Sequence, residues 1–139
     1  MNVDFASKNY ININSDLAEL HKVENFIDDF CRNNNFDEDH FGNIIIAVTE
    51  AVNNAIVHGN KNISSKSIKI GTDLENSVLK FSVEDEGNGF DYENLPDPTA
   101  PENLEKEHGR GVFLMRSLAD EVDFEKNGSK VILTFNSND

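Results

Sequence analysis

Apolar residues recur every three or four positions along two long segments of the chain, a spacing that places them on one side of a helix. The first stripe follows capping residues at 14–16 and predicts a helix over about 16–33. The second follows Asp37, a good N-cap, and ends at residues 58–60. The pattern therefore predicts two amphipathic helices in the first half of the chain.

Segments rich in β-branched and aromatic residues predict five strands. The predicted strands cover about 3–13, 66–74, 77–85, 121–126 and 129–136. Glu75-Asn76 predicts a hairpin turn between the second and third strands, and a third helix is expected over about 111–120. This order of elements predicts an α+β fold, a two-layer sandwich in which a mixed, mostly antiparallel sheet carries three helices on one face.

Residues 86–108 are acidic and irregular, with two glycines and all three prolines of the chain. A connection of this length inside a compact domain is usually functional, and we expect a lid over about 91–108. No internal repeat or linker interrupts the pattern. Residues 1–139 are therefore predicted to form a single domain.

The charge of the chain limits its partners. Twelve Lys and Arg against 26 Asp and Glu give a formal net charge of −14. The resulting field repels nucleic acid and anionic membrane, so neither is expected as a partner. Free nucleotide is repelled as well, so a phosphate site would need a metal ion, backbone N–H groups or a few placed cations.

Cys31 is the only cysteine, and the N-terminus has no basic region followed by an apolar run. A single cysteine excludes an internal disulfide and a cysteine-based metal cage. No stretch approaches the roughly 18 apolar residues of a membrane span. We therefore expect a cytoplasmic protein.

Glu50 and Asn54 lie four residues apart in the second predicted helix and so project from the same face, with Asn53 on the adjoining flank. Helix interiors disfavour Asn, and two adjacent Asn among apolar residues contradict both propensity and patterning. Such departures are typical of functional sites. An exposed polar face of an amphipathic helix would give the same spacing, so the pair alone does not decide.

Asp85 follows an apolar predicted strand and precedes Gly87 and Gly89. The glycines allow a ligand to approach the backbone closely. A fixed carboxylate accepts a hydrogen bond from the exocyclic amine of adenine but opposes the carbonyl oxygen of guanine. The segment predicts selection of ATP over GTP, although Asp-x-Gly-x-Gly is also ordinary turn chemistry.

Gly109, Arg110 and Gly111 come directly before the third predicted helix. Glycines at a helix start let N–H groups and the positive end of the helix dipole face phosphates, and Arg110 adds a cation. The chain has no Gly-Lys-Ser or Gly-Lys-Thr, so this is not a Walker A loop. Its four histidines show no pairing that would indicate a zinc site.

In their order and spacing these motifs resemble the GHKL (Bergerat-type) ATPase and kinase superfamily. Residues 49–59, Thr-Glu-Ala-Val-Asn-Asn-Ala-Ile-Val-His-Gly, are similar to its N box. Residues 85–90 and 109–115 are similar to its two glycine boxes, and residues 128–129 to its short final box. Within the superfamily, the small size and the N box look most like anti-sigma factor serine kinases of the RsbW and SpoIIAB type.

The resemblance implies a role for each matched position. Asn54 would ligate Mg²⁺ through its amide oxygen, Glu50 would activate the attacking nucleophile, and Asp85 would hold the adenine amine. The other nucleotide-binding positions that it implies are Asn53, Asn54, Gly87, Gly89, Phe90, Gly109, Arg110, Gly111, Val112 and Ser129.

The function implied by the resemblance is that of an ATP-dependent serine kinase that uses Mg²⁺ and acts as an anti-sigma factor in a partner-switching pathway. Its substrate would be a serine of a STAS-type anti-anti-sigma protein, and a sigma factor would compete for the same kinase. The resemblance also suggests a homodimer through the N-terminal strand, whose exposed edge can pair with a copy of itself.

The chain departs from this group at Glu107-His108, where such kinases often carry Arg-Ser before the second glycine box. An acidic residue there is expected to weaken a γ-phosphate contact. The alternative is therefore a nucleotide-gated module that sequesters a sigma factor or another regulator without phosphoryl transfer. The ATPase half of a sensor histidine kinase is disfavoured, because 139 residues leave no room for a phosphoacceptor helix hairpin.

Overall fold

The computed structural model describes residues 9–36, 38–90 and 107–136. The predicted cap at Asp37, the start of the first predicted strand and residues 91–106 of the predicted lid lie outside the described residues. Within the described ranges no helix has the length and apolar character needed to cross a membrane.

The first helix, α1, spans Leu20–Asn33. It starts later than predicted because a 3₁₀ turn, Leu17–Glu19, precedes it, as is common at helix N-termini. The side chain of Asp16 caps this turn, where its Oδ1 accepts a hydrogen bond from the backbone N–H of Ala18 at 3.0 Å. The residues that α1 buries are Val23, Ile27 and Cys31.

The second helix, α2, spans Phe41–Asn54 and continues into a π-helical turn, Ala55–Gly59. The backbone N–H of Asn60 donates to the carbonyl oxygen of Ala55, five residues back, at 2.8 Å. A π turn holds one residue more than an α-helical turn and frequently occurs at functional sites. Here it forms one edge of the cleft described below.

Five strands form one sheet in the order β1-β2-β3-β5-β4. Their bounds are Asn9–Asn14 (β1), Ser67–Glu75 (β2), Val78–Glu84 (β3), Glu121–Glu125 (β4) and Lys130–Asn136 (β5). All the described pairings are antiparallel, so the sheet carries no parallel pair within these residues. This confirms the predicted α+β fold and makes the sheet more regular than the mixed one expected.

The hairpin turn between β2 and β3 lies one residue later than predicted. Glu75 still pairs with Val78, and the two loop residues are Asn76 and Ser77. Both have positive φ, 53° and 66°. This is the backbone of a type I′ turn, whose twist matches that of the strands it joins.

The two faces of the sheet differ as alternation along a strand requires. Ile70, Phe81 and Leu133 on one face are fully buried in the hydrophobic core shared with the helices. Lys69 and Lys80 on the opposite face are exposed. The core therefore lies between the sheet and a single layer of helices.

The third helix, α3, spans Glu107–Leu118 and packs on α2. It starts four residues before the predicted position, so residues 109–111 form part of the helix rather than a loop before it. Glycine in a helix costs only about 1 kcal/mol relative to alanine. Packing of Val112 and Met115 in the core, both 1% exposed, outweighs that cost.

Candidate active site

A cleft opens where the π turn after α2 faces the end of β3, the middle of α3 and the loop before β5. Five residues predicted from the sequence line it: Asn54, Asp85, Gly89, Phe90 and Ser129. Nine further residues line it as well: Ala51, Ala55, His58, Gly59, Val83, Met115, Phe124, Gly128 and Val131. The cleft thus joins a few polar groups to apolar walls, the usual composition of a small-molecule site.

Asp85 is held at the end of β3 by backbone contacts on both sides. Its N–H donates to the carbonyl oxygen of Ser129 at 2.9 Å. Its Oδ1 accepts a hydrogen bond from the N–H of Gly87 at 2.7 Å. Burial raises the pKa of the Asp85 carboxyl above its ordinary value, and the bond from Gly87 opposes that shift without cancelling it. The result is a fixed, half-buried acceptor facing the cleft.

Glycines surround this carboxylate because there is no space for side chains. A Cβ on Gly59 would lie 2.3 Å from Oδ2 of Asp85, and a Cβ on Gly87 would lie 2.2 Å from the carbonyl oxygen of Gly59. Gly89 has φ of +84°, and its Cβ would overlap the carbonyl oxygen of Asn127. Three chain segments therefore meet at Asp85 with almost no gap.

Aromatic rings form an apolar wall of the cleft. Phe90 and Phe124 make an edge-to-face pair, with ring centroids 5.4 Å apart and planes at 88°. The guanidinium carbon of Arg116 lies 5.8 Å from the centroid of Phe124, within cation–π range. The wall next to Asp85 therefore suits a flat heteroaromatic ring with an amine at its edge.

Asn54 contributes an amide to the same cleft. It is 9% exposed, and its Nδ2 has no hydrogen-bond partner among the described residues. Leaving a buried donor unsatisfied costs about 1–3 kcal/mol. An amide also offers an oxygen to a hard cation such as Mg²⁺. The unpartnered Nδ2 therefore fits a ligand that offers a hydrogen-bond acceptor, and the amide oxygen is of the type that Mg²⁺ binds.

A second cavity lies beside the first. It is lined by Leu17, Glu50, Asn53, Val57, Arg110, Gly111 and Leu114. Glu50 and Asn54 were predicted to share one face, but Glu50 opens into this second cavity together with Asn53, while Asn54 lines the first. Gly111 lies between them, because a Cβ there would be 2.8 Å from Nδ2 of Asn54.

The remaining predicted residues have other positions. Gly87 packs behind Asp85 and lines neither cavity. Val112 is buried in the core, again away from both cavities. Gly109 lies in the first turn of α3. The first four N–H groups of a helix have no acceptor within the helix itself, and their partial positive charge favours an anion at that end.

Sequence reasoning missed Phe124 and Met115 as lining residues, and it did not assign Gly59 to the site. Phe124 belongs to β4, where the alternation of residues 121–125 places it on the core side, but no motif marks it as facing a ligand. Gly59 ends the N box, and the contact with Asp85 requires a glycine there. Only the tertiary contact reveals that requirement.

A family model and several curated proteins that are similar to this chain agree on its family. The family model of the histidine kinase-like ATPase domain matches residues 13–135. Serine-protein kinases RsbW of Staphylococcus aureus strains JH9 and Newman are each 36% identical to this chain over 97 residues, 64% of this chain and 61% of theirs. The chain therefore spans about three fifths of the length of these curated relatives.

A solved structure of the RsbU and RsbW domains of a Mycobacterium tuberculosis protein is similar in fold. It matches with a TM-score of 0.65 at 17% identity, covering 94% of this chain and 33% of that chain. At this identity the similarity shows the fold alone.

Proposed function

This chain belongs to the histidine kinase-like ATPase domain family, and we propose that it is a cytoplasmic, ATP-dependent serine protein kinase that acts as an anti-sigma factor. Its substrate is a serine of a STAS-type anti-anti-sigma protein. The name of the Staphylococcus relatives, serine-protein kinase, supports the reaction class. The sigma factor and the STAS partner follow from the resemblance of the N box and glycine boxes.

The observation that carries this proposal is the separation of Glu50 from Asn54. The two side chains line different cavities, and Gly111, which lines the cavity of Glu50, lies against the amide of Asn54. A kinase needs the nucleotide on one side of the transferred phosphoryl group and the acceptor hydroxyl on the other, because attack and departure are roughly in line. Two cavities, one lined by the Asn54 amide and one by the Glu50 carboxylate, suit that division.

In the first cavity, Asp85 accepts a hydrogen bond from the adenine amine, and the ring packs on the Phe90 and Phe124 wall. Asn54 would hold Mg²⁺ through its amide oxygen, and a bound ion would supply positive charge next to the phosphates. Arg110, which lines the second cavity, and the first-turn N–H groups of α3 supply positive potential where the phosphates reach that cavity. This local compensation is what a chain of net charge −14 requires.

In the second cavity, Glu50 accepts the proton of the serine hydroxyl. The serine oxygen forms a bond to the γ-phosphorus as the bond from that phosphorus to ADP breaks and ADP departs. Asn53 lines the same cavity, and its contact with the nucleotide stays a prediction. Leu17 and Leu114 line this cavity as well and provide apolar contact for residues that flank the serine.

The direct test is to incubate the protein with Mg-ATP and the STAS-type protein encoded beside it, and then to weigh the STAS protein. We expect it to gain the mass of one phosphoryl group on a serine. The matched control is Glu50→Gln, which keeps the shape of the side chain. Absence of any mass gain while ATP binding is measurable contradicts the kinase proposal.

A second candidate function rests on Glu107, the first residue of α3. An acidic residue at the positive end of a helix competes with a phosphate for the same potential. The chain would then capture a regulator in a nucleotide-dependent way without transfer. In that case Glu50→Gln leaves both partner capture and regulation in cells intact, whereas loss of regulation with intact capture favours the kinase.

A second copy of the chain is a further proposed partner. β1 is an edge strand of the described sheet, where β2 is its one neighbouring strand. Edge strands pair readily with copies of themselves. Light scattering of the purified protein tests this, with a dimer expected and a monomer at all concentrations contradicting it.

A further inference from the structure

Asn60, at the end of the π turn, is a fully buried polar residue whose four hydrogen-bonding groups are all engaged. Its N–H donates to Ala55 and its carbonyl oxygen accepts from the N–H of Ile63 at 3.1 Å. Its side-chain Nδ2 donates to the carbonyl oxygen of Ser67 at 3.1 Å, and its Oδ1 accepts from the N–H of Glu86 at 2.8 Å. One side chain thus bridges the π turn, the start of β2 and the segment that follows β3.

The bond from Glu86 is the important one for the site. That N–H belongs to the peptide unit that joins Asp85 to Glu86, so Asn60 holds the backbone directly next to the carboxylate that faces the cleft. The preceding residue, Gly59, packs against that carboxylate with no room for a Cβ. Gly59-Asn60 and Asp85-Glu86 are therefore clamped side by side.

Glu86 closes the same clamp from the outside. Its Oε2 accepts from the N–H of Ser67 at 2.6 Å and from the Oγ of Ser67 at 3.1 Å. The N–H bond, reinforced by the hydroxyl, lowers the pKa of the Glu86 carboxyl. Asn60 donates to the carbonyl oxygen of Ser67 and Glu86 accepts from its N–H, so Ser67 is bonded both to the end of the π turn and to the segment that bears Asp85.

We propose that Asn60 is the positioning residue for Asp85, and that this buried bridge sets the discrimination between adenine and guanine nucleotides. The proposal rests on the proposed binding of adenine by Asp85. Asn60 lines neither cavity, and its side chain acts through the backbone of Glu86 and of Ser67. Discrimination depends on where the carboxylate stands, because it attracts the adenine amine and repels the guanine carbonyl oxygen at the same place.

The first arm of the test compares ATP and GTP affinity in the wild type and in Asn60→Ala. We expect the ratio of the two affinities to fall at least about 10-fold, because ATP loses a charge-assisted hydrogen bond while GTP loses a repulsion. The matched control is Thr72→Val, which removes another buried bond between a side chain and a backbone carbonyl, that of Lys80, at a position that lines neither cavity. It is expected to lower stability and leave the ratio unchanged.

The second arm needs no nucleotide and measures amide hydrogen exchange. In Asn60→Ala the N–H groups of Glu86 and Gly87 are expected to exchange at least about 10-fold faster, while the N–H of Phe81 in the middle of β3 keeps its protection.

Glu86→Ala, an exposed substitution that folds even if Asn60→Ala does not, removes the outer half of the clamp. It should shift the ATP-to-GTP ratio in the same direction by a smaller factor.

The outcomes separate this inference from the proposed function. If the wild type binds no ATP, the proposed function fails and the exchange arm alone decides the role of Asn60. An unchanged affinity ratio in a folded Asn60→Ala, or unchanged protection of Gly87, overturns the inference even if ATP binds tightly.

Discussion

The Cα of Gly111 in α3 lies so close to Asn54 in α2 that a Cβ would stand 2.8 Å from Nδ2 and 3.0 Å from Oδ1. Gly111 does not appear among the described glycines with positive φ, so close approach rather than backbone conformation requires a glycine here. We expect Gly111→Ala to displace the Asn54 amide and weaken Mg-ATP binding at least about 10-fold, a loss of about 1.4 kcal/mol. Titration calorimetry measures this.

Gly42→Ala provides the control for that substitution. Gly42 also lies in a helix, α2, but a Cβ there would meet nothing within 4 Å. Replacing a helical glycine by alanine at such a place should raise the free energy of unfolding by about 0.5–1 kcal/mol and leave ATP affinity unchanged. Equal ATP affinity in the two variants would contradict the role given to Gly111.

At Asn54 we expect one substitution to raise the stability of the free protein and to weaken Mg-ATP binding. Asn54→Leu replaces a buried amide whose Nδ2 has no partner within the described part of the chain by an apolar group of similar size. Without nucleotide the variant is expected to gain about 1 kcal/mol of stability, since an unsatisfied donor is removed. Urea unfolding with and without Mg-ATP measures both properties. The wild type should be stabilised by Mg-ATP and the variant should not; a variant that is still stabilised would exclude Asn54 as the metal ligand.

The raised pKa of Asp85 predicts how stability changes with pH. Because burial raises the folded-state pKa above the unfolded value, the folded protein binds this proton more tightly, and the contribution of Asp85 to stability falls as pH rises through the raised pKa. In Asp85→Asn that loss is absent. The stability advantage of the variant should therefore grow from below the ordinary carboxyl pKa of about 3.9 toward neutral pH and then level off.

Asp123→Asn, an exposed position on β4, sets the baseline for removing one charge from this acidic chain. At neutral pH, Asp85→Asn should be at least as stable as the wild type yet bind ATP about 10-fold more weakly or worse, because a hydrogen bond to a charged group contributes about 1.5–3 kcal/mol. Thermal unfolding across pH and ATP titration check the two statements. Unaltered ATP affinity would remove Asp85 from the adenine site.

We expect the thiol of Cys31 to be chemically inert. Burial, with a smaller effect from Asp28, raises its pKa to about 11. At pH 8 only about one thiol in a thousand would be ionised, and the thiolate is the reactive form. Alkylation by iodoacetamide should therefore follow the unfolding of α1 rather than the intrinsic reactivity of a free thiol. Labelling as fast in the native protein as in urea would contradict the burial of Cys31.

Most of the fold could be predicted from the sequence, because the patterns that indicate helices and strands involve residues close together in the chain. The spacing of apolar residues predicted α1 and α2, and alternation predicted the strands that contribute Phe81 and Leu133 to the core. The errors were of one to four residues at element ends, as at Glu75 and Glu107, where a turn or a helix start depends on packing rather than on local preference.

The site was predicted less completely, for geometric reasons. At about 100° per residue, Glu50 and Asn54 differ by only about 40° around the helix axis, so periodicity places them together. It is the approach of Gly111 from α3 that puts them in different cavities. Sequence patterns did not reveal the roles of Gly59, Phe124 and Asn60 for the same reason, since each acts through a contact with a distant segment.

We propose that Glu50 accepts the serine proton while Asn54 and Asp85 hold Mg-ATP next to it. Single-turnover phosphorylation of the STAS-type partner, measured for the wild type and Glu50→Gln with ATP affinity determined in parallel, tests it most directly. We predict equal ATP affinity and a transfer rate about 100-fold or more lower in Glu50→Gln, the range expected for loss of a general base. Equal transfer rates in the two proteins, or no transfer by a wild type that binds Mg-ATP, would contradict it.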